Sequence, residues 1–588
     1  MKVYHKFRYW IVLVLLTCWS CEDYLEKTPE ADLTETDVFK SFFNFQGYVE
    51  TMYDYIVNVG KNYRAYGDFN WSDDMIPTRK LYFHEGDYAR IVANEVSVMW
   101  SNYANQSDAF PDIARSAYWQ SGWFGIRAAN TCLNHLNDLV EATDEQKKLI
   151  EGQAYFFRGY FHWEIMKAWG NIPYIDKVLA PSSEMSVPQL GIYVTAEKII
   201  ADFQKAADLL PEDWDLTETG KVTLGKNIGR ITKGIALANM AEALLWCGSP
   251  LFNGVETGNY TYNKDYCRRA ADVSNQIIQM EDRGIYALQP WEKYKNIFVT
   301  KTGGTTPVTK EYLFSSPQRN TMTNYIVTFA FSHITGKDAV YSSPTQNYVD
   351  LFEMANGLPI NDPESDYNEN DPWVNRDPRF RYNILLDGDR QVVNLTDDRA
   401  FVQLYIGGRE RKVSCSVTGY GWKKYWDETM NRFDNGHTRL IFDVPRIRYS
   451  EIYLIYAEAA NEAYGPFGKA PGAAITAVDA INKIRARAGM PDVHTKFLGS
   501  TEAFRPRIWN ERAVELAFEG ERWYDLRRWH VAHLPEHTEL YELQFDKEHT
   551  YFRRVLSREI VFTERHYFMP FPVQQANLYR EWKQNPGW

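Results

Sequence analysis

Two stretches of the C-terminal third constrain the fold most: "SEIYLIYAEAANEAYG" (Ser450 to Gly465) and "AAITAVDAINKIRARAG" (Ala473 to Gly489). In the first, Ile452, Ile455, Tyr456, Ala459 and Ala463 recur at helical spacing, with Ser450 as the expected N-cap. A Gly/Pro-containing turn joins the two, and their alanines leave room for close helix approach. Such a hairpin buries its apolar face only by stacking on others like it. The same period predicts helices over Glu151–Gly170, Tyr193–Pro211, Ile231–Gly248 and Pro506–Trp529. On the second of these, Ala196, Ile199, Ile200, Phe203, Ala206 and Ala207 share a face. A mostly α chain of stacked helical hairpins is therefore expected, and 588 residues suffice for several cores.

The remainder does not follow this period. Asn58–Asp112 and Tyr286–Asp443 are long, irregular and rich in Gly, Pro, Asn, Asp and aromatic residues. Loops of that length in a compact domain are usually functional. Composition matters here, because 15% of the chain is aromatic and Tyr (39) outnumbers Phe (32). Many rings therefore carry a polar tip suited to a surface. The rings of "AYFFRGYFHWEIMKAW", with Trp523 and Trp529, are expected in the core.

The N-terminus sets the compartment. Lys2, Lys6 and Arg8 precede the short apolar run Tyr9–Trp19, too short to span a bilayer and arranged as a signal peptide over residues 1–20. Cys18 and Cys21 share a C-x-x-C spacing, but Cys18 falls inside the leader. Cys21, after the small Ser20, resembles the lipidated cysteine of a bacterial lipoprotein. "WCGSP" (Trp246 to Pro250) lacks a second Cys, so Cys247 reads as a buried structural thiol.

Several chemistries find no support. The net charge of −12 argues against nucleic acid and against docking on an anionic membrane surface. H-E-x-x-H, G-x-S-x-G and phosphate-binding glycine loops are absent from the sequence. "DYNENDPWVNRD" (Asp366 to Asp377) departs from a calcium loop at Asp371 and Asp377, and reads as a solvated acidic loop. Glu511, Glu515 and Glu519 share a helix face and need cations; Arg512, Arg522, Arg527 and Arg528 are the expected partners, in a structural network. Glu151 and Arg158 read similarly. No catalytic residue, metal site or cofactor is expected.

"CEDYLEKTPE", "EGQAYFFRGYFHWEIMKAWGNIPYI", "GRITKGIALANMAEALLW", "PTQNYVDLFEMANGLPI", "RYSEIYLIYAEAANEA", "ERAVELAFEGERWYDLRRW" and "QNPGW" occur in this order along the chain. Together they resemble the SusD/RagB family of outer-membrane lipoproteins, over essentially the whole length. The resemblance implies tetratricopeptide-like helix pairs as scaffold and an irregular remainder that carries the ligand site. It divides the chain into an N-terminal portion (21–235) and a C-terminal portion (236–588) of one compact fold. It also implies a lipid-anchored, cell-surface protein that hands oligosaccharides, or in some members peptides, to a SusC-like TonB-dependent transporter. Glu22 and Asp23 resemble the signal for surface display.

Sugars bind through C–H faces on flat aromatic rings and through hydroxyls paired to polar side chains. The stretches Tyr63–Met75 and Val98–Phe110 interleave both kinds of group. The family's use of the segment before "YWQSGWFGIRAANTCLNHL" points to Trp100 and Tyr103 as platforms, with Asn102 and Asp108 as hydroxyl partners. Trp71 with Asp73, and Tyr325, Tyr341 and Trp422 from the later loops, are further candidates. A glycan-binding lipoprotein is the expected function. A peptide-binding relative and, more remotely, a glycoside hydrolase are the alternatives.

Overall fold

A computed structural model describes residues 35–57, 71–77, 84–87, 118–180, 187–300, 309–317, 320–321, 342–391, 393, 395–412, 415–425, 441–572, 579 and 581–588. After α1 (Phe42–Glu50), the scaffold helices are α2 (Tyr118–Asn134), α3 (Asp144–Trp169), α4 (Ile192–Leu209), α5 (Lys233–Gly248) and α6 (Lys264–Ile278). Then follow α7 (Tyr449–Tyr464), α8 (Ala477–Arg487), α9 (Thr501–Glu515) and α10 (Arg522–Arg528). Each of α2 to α7 packs on the next, and α7 packs on both α8 and α9. The stack is therefore continuous across the long stretch between α6 and α7. A division at 235/236 falls within α5, whose neighbours on both sides belong to the same stack.

Local chemistry sets the helix limits. α3 begins before the expected Glu151 because Thr143 forms a capping box with Gln146, and it ends at Gly170 with φ of +71°. From Leu149 onward α3 is buried nearly all round, and Phe156, Phe157, Tyr160, Phe161, Trp163 and Trp169 lie in the core as expected. α2 reaches it closely through glycine: a Cβ on Gly125 would lie 2.2 Å from the Phe161 ring. In α7 the N-cap is Arg448 rather than Ser450, whose hydroxyl instead accepts from the Arg448 guanidinium. The helix expected over Pro506–Trp529 is two helices. It starts earlier, at the Ser500 cap, and breaks where Phe518 and Gly520 take positive φ of 59° and 90°.

The region between α6 and α7 forms a second core from Phe298, Tyr348, Phe352, Phe380, Trp422 and Tyr425. This core closes on Ala513, Val514, Ala517 and Phe518 at the end of α9, while Phe504, Ile508 and Leu516 face the main core. α9 is thus the plank between the two. Glu511, Glu515 and Glu519 lie on this seam, and ion pairs satisfy them as expected, though with other partners. Arg379 and Arg485 hold Glu511, at 2.5 and 3.2 Å. Arg448 at 2.6 Å, and Arg487, hold Glu515. Arg448 and Lys424 hold Glu519, at 2.7 and 2.5 Å. The arginines of the same helical stretch turn elsewhere: Arg512 to Glu451 and Asp525, Arg522 to Asp73, Arg528 to Glu458, and Arg527 to the Tyr567 carbonyl. One helix cannot bring its own cations round to its carboxylate face, so the insertion and α7–α8 supply them. Likewise Arg158 pairs with Asp202, not with Glu151.

Candidate ligand-binding face

Short strand pairs fix where the long irregular segments leave the body. In a three-stranded sheet, Ile441 is paired with both Thr300 and Thr321. Three segments, 301–308, 322–341 and 426–440, therefore leave or enter at one end of this sheet. Segment 322–341 returns at Ser342, which pairs with Pro77 in the strand pair Met75–Pro77/Ser342–Pro344. Segment 78–83 leaves from that same end. A further root is Tyr118, the first residue of α2, where residues 88–117 rejoin the body. Arg446 ties it in: Nη1 donates to Tyr118 Oη at 2.8 Å, Nη2 pairs with Glu164, and the backbone N donates to Phe314 O at 2.8 Å. Only a few residues of chain separate Arg446 from Ile441.

Buried acids brace these roots. Asp443 accepts from Tyr312 Oη and, at 2.9 Å, from Val444 N; burial pushes its carboxyl up to about 7. Asp74 accepts from Ser72 Oγ at 2.5 Å, and burial with the nearby Asp73 charge pushes it to about 7 as well. Thr345 donates through Oγ1 to Asp73 O and through N to Asp74 O, joining residues 71–77 to the strand pair.

The candidates divide sharply. Trp71 is 3% exposed and packs edge-on to Trp523 with centroids 5.0 Å apart. Asp73 is buried, with both oxygens taken by Arg522 Nε and Nη2 at 2.7 and 2.8 Å, and His537 Nδ1 2.7 Å from Oδ2. Burial alone would raise this carboxyl, but Arg522 and His537 hold it well below the usual range. Trp422 is 4% exposed and packs against Tyr425 and Phe518. These three were expected at the ligand; the structure makes them the base on which the roots are fixed, because a ring in close-packed surroundings has no free face. Trp100, Asn102, Tyr103, Asp108, Tyr325 and Tyr341 lie outside the described residues, as does Cys21.

Two concavities among the described residues were not anticipated. One, of about 590 Å³, is lined by Trp123, Arg127, Lys177, Tyr579 and Trp582, with Tyr579 and Trp582 stacked at 4.6 Å. The signal was present in "YWQSGWFG", where Trp119 and Trp123 are one helical turn apart; Trp119 turns inward and Trp123 remains half-buried. The other, of about 520 Å³, lies beside the Tyr312–Phe314 strand and is bordered by Glu50, Tyr53 and Arg230. Cys132, Cys247, Cys267 and Cys415 are buried and form no disulfide among the described residues, and burial pushes the Cys247 thiol well up, so the "WCGSP" thiol is structural as expected. Asp377, at the end of the calcium-like stretch, caps the turn Pro378–Asn383 and pairs with Arg379 at 2.7 Å. Among the described residues, no group of three His, Cys, Asp or Glu is arranged to hold a metal.

A continuous stack of helix pairs, interrupted by a long irregular insertion with a core of its own, defines a class of mostly α proteins. The matches with known proteins agree. The model of the SusD family matches residues 309–588, and one described as "Starch-binding associating with outer membrane" matches residues 23–226. The chain belongs to the SusD family. SusD-like protein P2 of Formosa agariphila is 24% identical over 533 residues, spanning 89% of this chain and 90% of that protein. A crystal structure of a SusD-like protein from Bacteroides fragilis superposes with a TM-score of 0.72 at 23% identity, covering 96% of this chain and all of that one. A second protein of that organism, described as a SusD-like carbohydrate-binding protein, gives 0.65 at 19% identity, covering 93% of this chain and all of that one. These likenesses establish the mostly α SusD fold.

Proposed function

We propose that this chain is a cell-surface glycan-binding lipoprotein that captures oligosaccharides and passes them to a SusC-like TonB-dependent transporter. The observation that carries the reading is the convergence of roots. The segments bearing Trp100, Asn102, Tyr103, Asp108, Tyr325 and Tyr341 all join the body at Tyr118, Thr321 or Ser342, each fixed by strand pairing or by the hydrogen bond to Arg446. Rings and amides carried by several such segments suit a polymer with alternating C–H and hydroxyl surfaces. The family's outer-membrane, starch-binding description and the carbohydrate-binding relative support the ligand class. No cofactor is invoked, and the protein is read as a binder rather than an enzyme.

Affinity measurements across plant, host and microbial polysaccharides, with Trp100→Ala and Tyr325→Ala beside wild type, test the site. Binding by wild type that both variants retain would refute these platforms. Release of free sugar from a bound glycan on long incubation would refute the non-enzymatic reading. Cys21→Ala should leave the protein soluble, and persistent membrane association would refute lipidation at that residue.

A further inference from the structure

Trp71 and Trp422 are buried, whereas Trp123, Tyr579 and Trp582, around the concavity of about 590 Å³, keep part of their surface in solvent. Trp123 meets Trp119 and His162 edge-on, at interplanar angles of 80° and 88°, and among the described residues no ring stacks on it. Tyr579 lies over one face of Trp582, 17° from parallel, and among the described residues no other ring meets Tyr579. Ring faces left open in this way are what the C–H surface of a sugar packs on.

Hydrogen bonds hold the walls. Asn130 Nδ2 of α2 donates to Ile175 O at 2.9 Å, and Ile175 N donates to His162 Nε2 of α3 at 3.0 Å. Trp582 Nε1 donates to Val187 O at 2.8 Å, and Lys583 N donates to Gln189 Oε1 at 2.8 Å. The segment after α3 and the C-terminal residues are thus fixed to each other and to the two helices. Arg127 lies nine residues beyond Tyr118, about two and a half helical turns, so the pocket opens on the side of α2 opposite the Tyr118–Arg446 root.

The charge of the rim has one sign. Arg127 and Lys177 line the pocket, and its described lining holds no Asp or Glu. Arg127 Nη1 donates to Leu179 O at 3.2 Å, which holds the guanidinium on the stretch of chain that carries Lys177. Among the described residues neither cation pairs with a carboxylate. Other exposed arginines of the stack are paired: Arg269 with Glu197 at 2.5 Å, and Arg283 with Glu212 at 2.7 Å. In a chain of net charge −12, two neighbouring cations over open rings, with no carboxylate between them, favour an anionic ligand.

We propose that this pocket is a second saccharide site, separate from the candidate face, for a sugar unit that bears an anionic group. Trp123 and Tyr579 take its C–H face, and Arg127 and Lys177 take its carboxylate or sulfate. The proposal rests on the reading of the chain as a glycan binder. The test is calorimetric titration of the full chain with tetragalacturonate and with a sulfated galactan tetrasaccharide, each beside its methyl-esterified or desulfated counterpart. At least one anionic probe should bind, about tenfold or more tighter than its neutral counterpart, and the probe that binds identifies the anion. Arg127→Met/Lys177→Met should weaken that binding about tenfold or more, the loss of hydrogen bonds to a charged group. Both side chains are exposed, so the thermal melt should match that of wild type. A diazirine on the bound probe should label peptides that contain Trp123 or Trp582. Labelling within residues 98–110 instead, equal affinity for charged and neutral probes, or undiminished binding by the double variant would overturn the site. A wild type that binds neutral glycans but neither anionic probe refutes this site alone, whereas one that binds no saccharide refutes the glycan reading with it.

Discussion

Arg522→Met tests how residues 71–77 are held to the body. In the native protein Arg522 grips both oxygens of a carboxylate that is 2% exposed, leaving Asp73 only His537 when the guanidinium is gone. Breaking a buried pair by removing one partner costs about 3–5 kcal/mol. With an unfolding entropy of about 2.1 cal/mol/K per residue, a chain of this length has a total near 1.2 kcal/mol/K, so Tm should fall by about 2.5–4 °C. The sign with pH is fixed by Asp73, whose folded carboxyl is held below its ordinary value. Its stabilisation is present above the unfolded pKa of about 3.9 and is lost as pH falls toward the folded value. In the variant, burial opposed by His537 alone raises that carboxyl, so the penalty should be largest at pH 7.5 and should shrink toward pH 4.5. Asp73→Leu/Arg522→Met should recover most of the loss, since an apolar pair leaves no buried charge. Calorimetry at the two pH values decides the matter. A fall under 1 °C at pH 7.5, an equal fall at both, or a double variant no better than the single would refute the reasoning.

Asp443→Asn keeps an acceptor for Tyr312 but removes a carboxyl pushed up to about 7. A raised folded pKa means that stability is lost as pH rises from about 4 to 7, so the variant should gain on wild type by up to about 4 kcal/mol between pH 4 and 8 in denaturant titrations. Gly125→Ala should destabilise despite a helix-propensity gain of about 1 kcal/mol. The new Cβ meets the Phe161 ring at 2.2 Å, and overpacking costs about 1–3 kcal/mol; a raised Tm would count against the close α2–α3 approach. Trp71→Ala should cost about 3–5 kcal/mol through the cavity it leaves, and a thermal melt matching wild type would contradict its place beside Trp523.

The scaffold was legible in the sequence because helical periodicity, alanine faces and terminal glycines act within a few residues of one another. The α9–α10 break was not, since Phe518 gives no local sign that it will take a positive φ. The carboxylates of Glu511, Glu515 and Glu519 form the structural network expected, yet their cations come from Arg379, Arg448, Arg485, Arg487 and Lys424, partners far apart in sequence that only tertiary packing brings together. At the candidate face, composition found segments suited to sugars but could not tell a platform from its support. Trp71, Asp73 and Trp422 have the residue types of a ligand site and the burial of a foundation. What separates them is proximity to a strand root: Trp71 and Asp73 lie just before Met75–Pro77, and Trp422 lies in the strand Gly421–Trp422.

The interrupted stack explains how one scaffold can carry such a face. α6 packs on α7 although about 170 residues separate them, and closing a flexible loop of that length costs only about 4–5 kcal/mol, with each further doubling adding about 0.6. The inserted residues offset that cost with a core of their own, closed on the end of α9. An apolar seam alone is non-directional, and it would permit the insertion to slide or tilt on α9. The seam here is polar at Glu511 and Glu515 on α9 and at Glu519 just beyond its end, and each carboxylate is met by cations from both the insertion and the stack or from residues flanking them. Displacement by one turn would set each carboxylate against the wrong cation and leave buried charge at both ends. The roots at Thr300, Thr321, Ser342 and Ile441 therefore inherit a single position from α9, whatever the length or composition of the segments they carry.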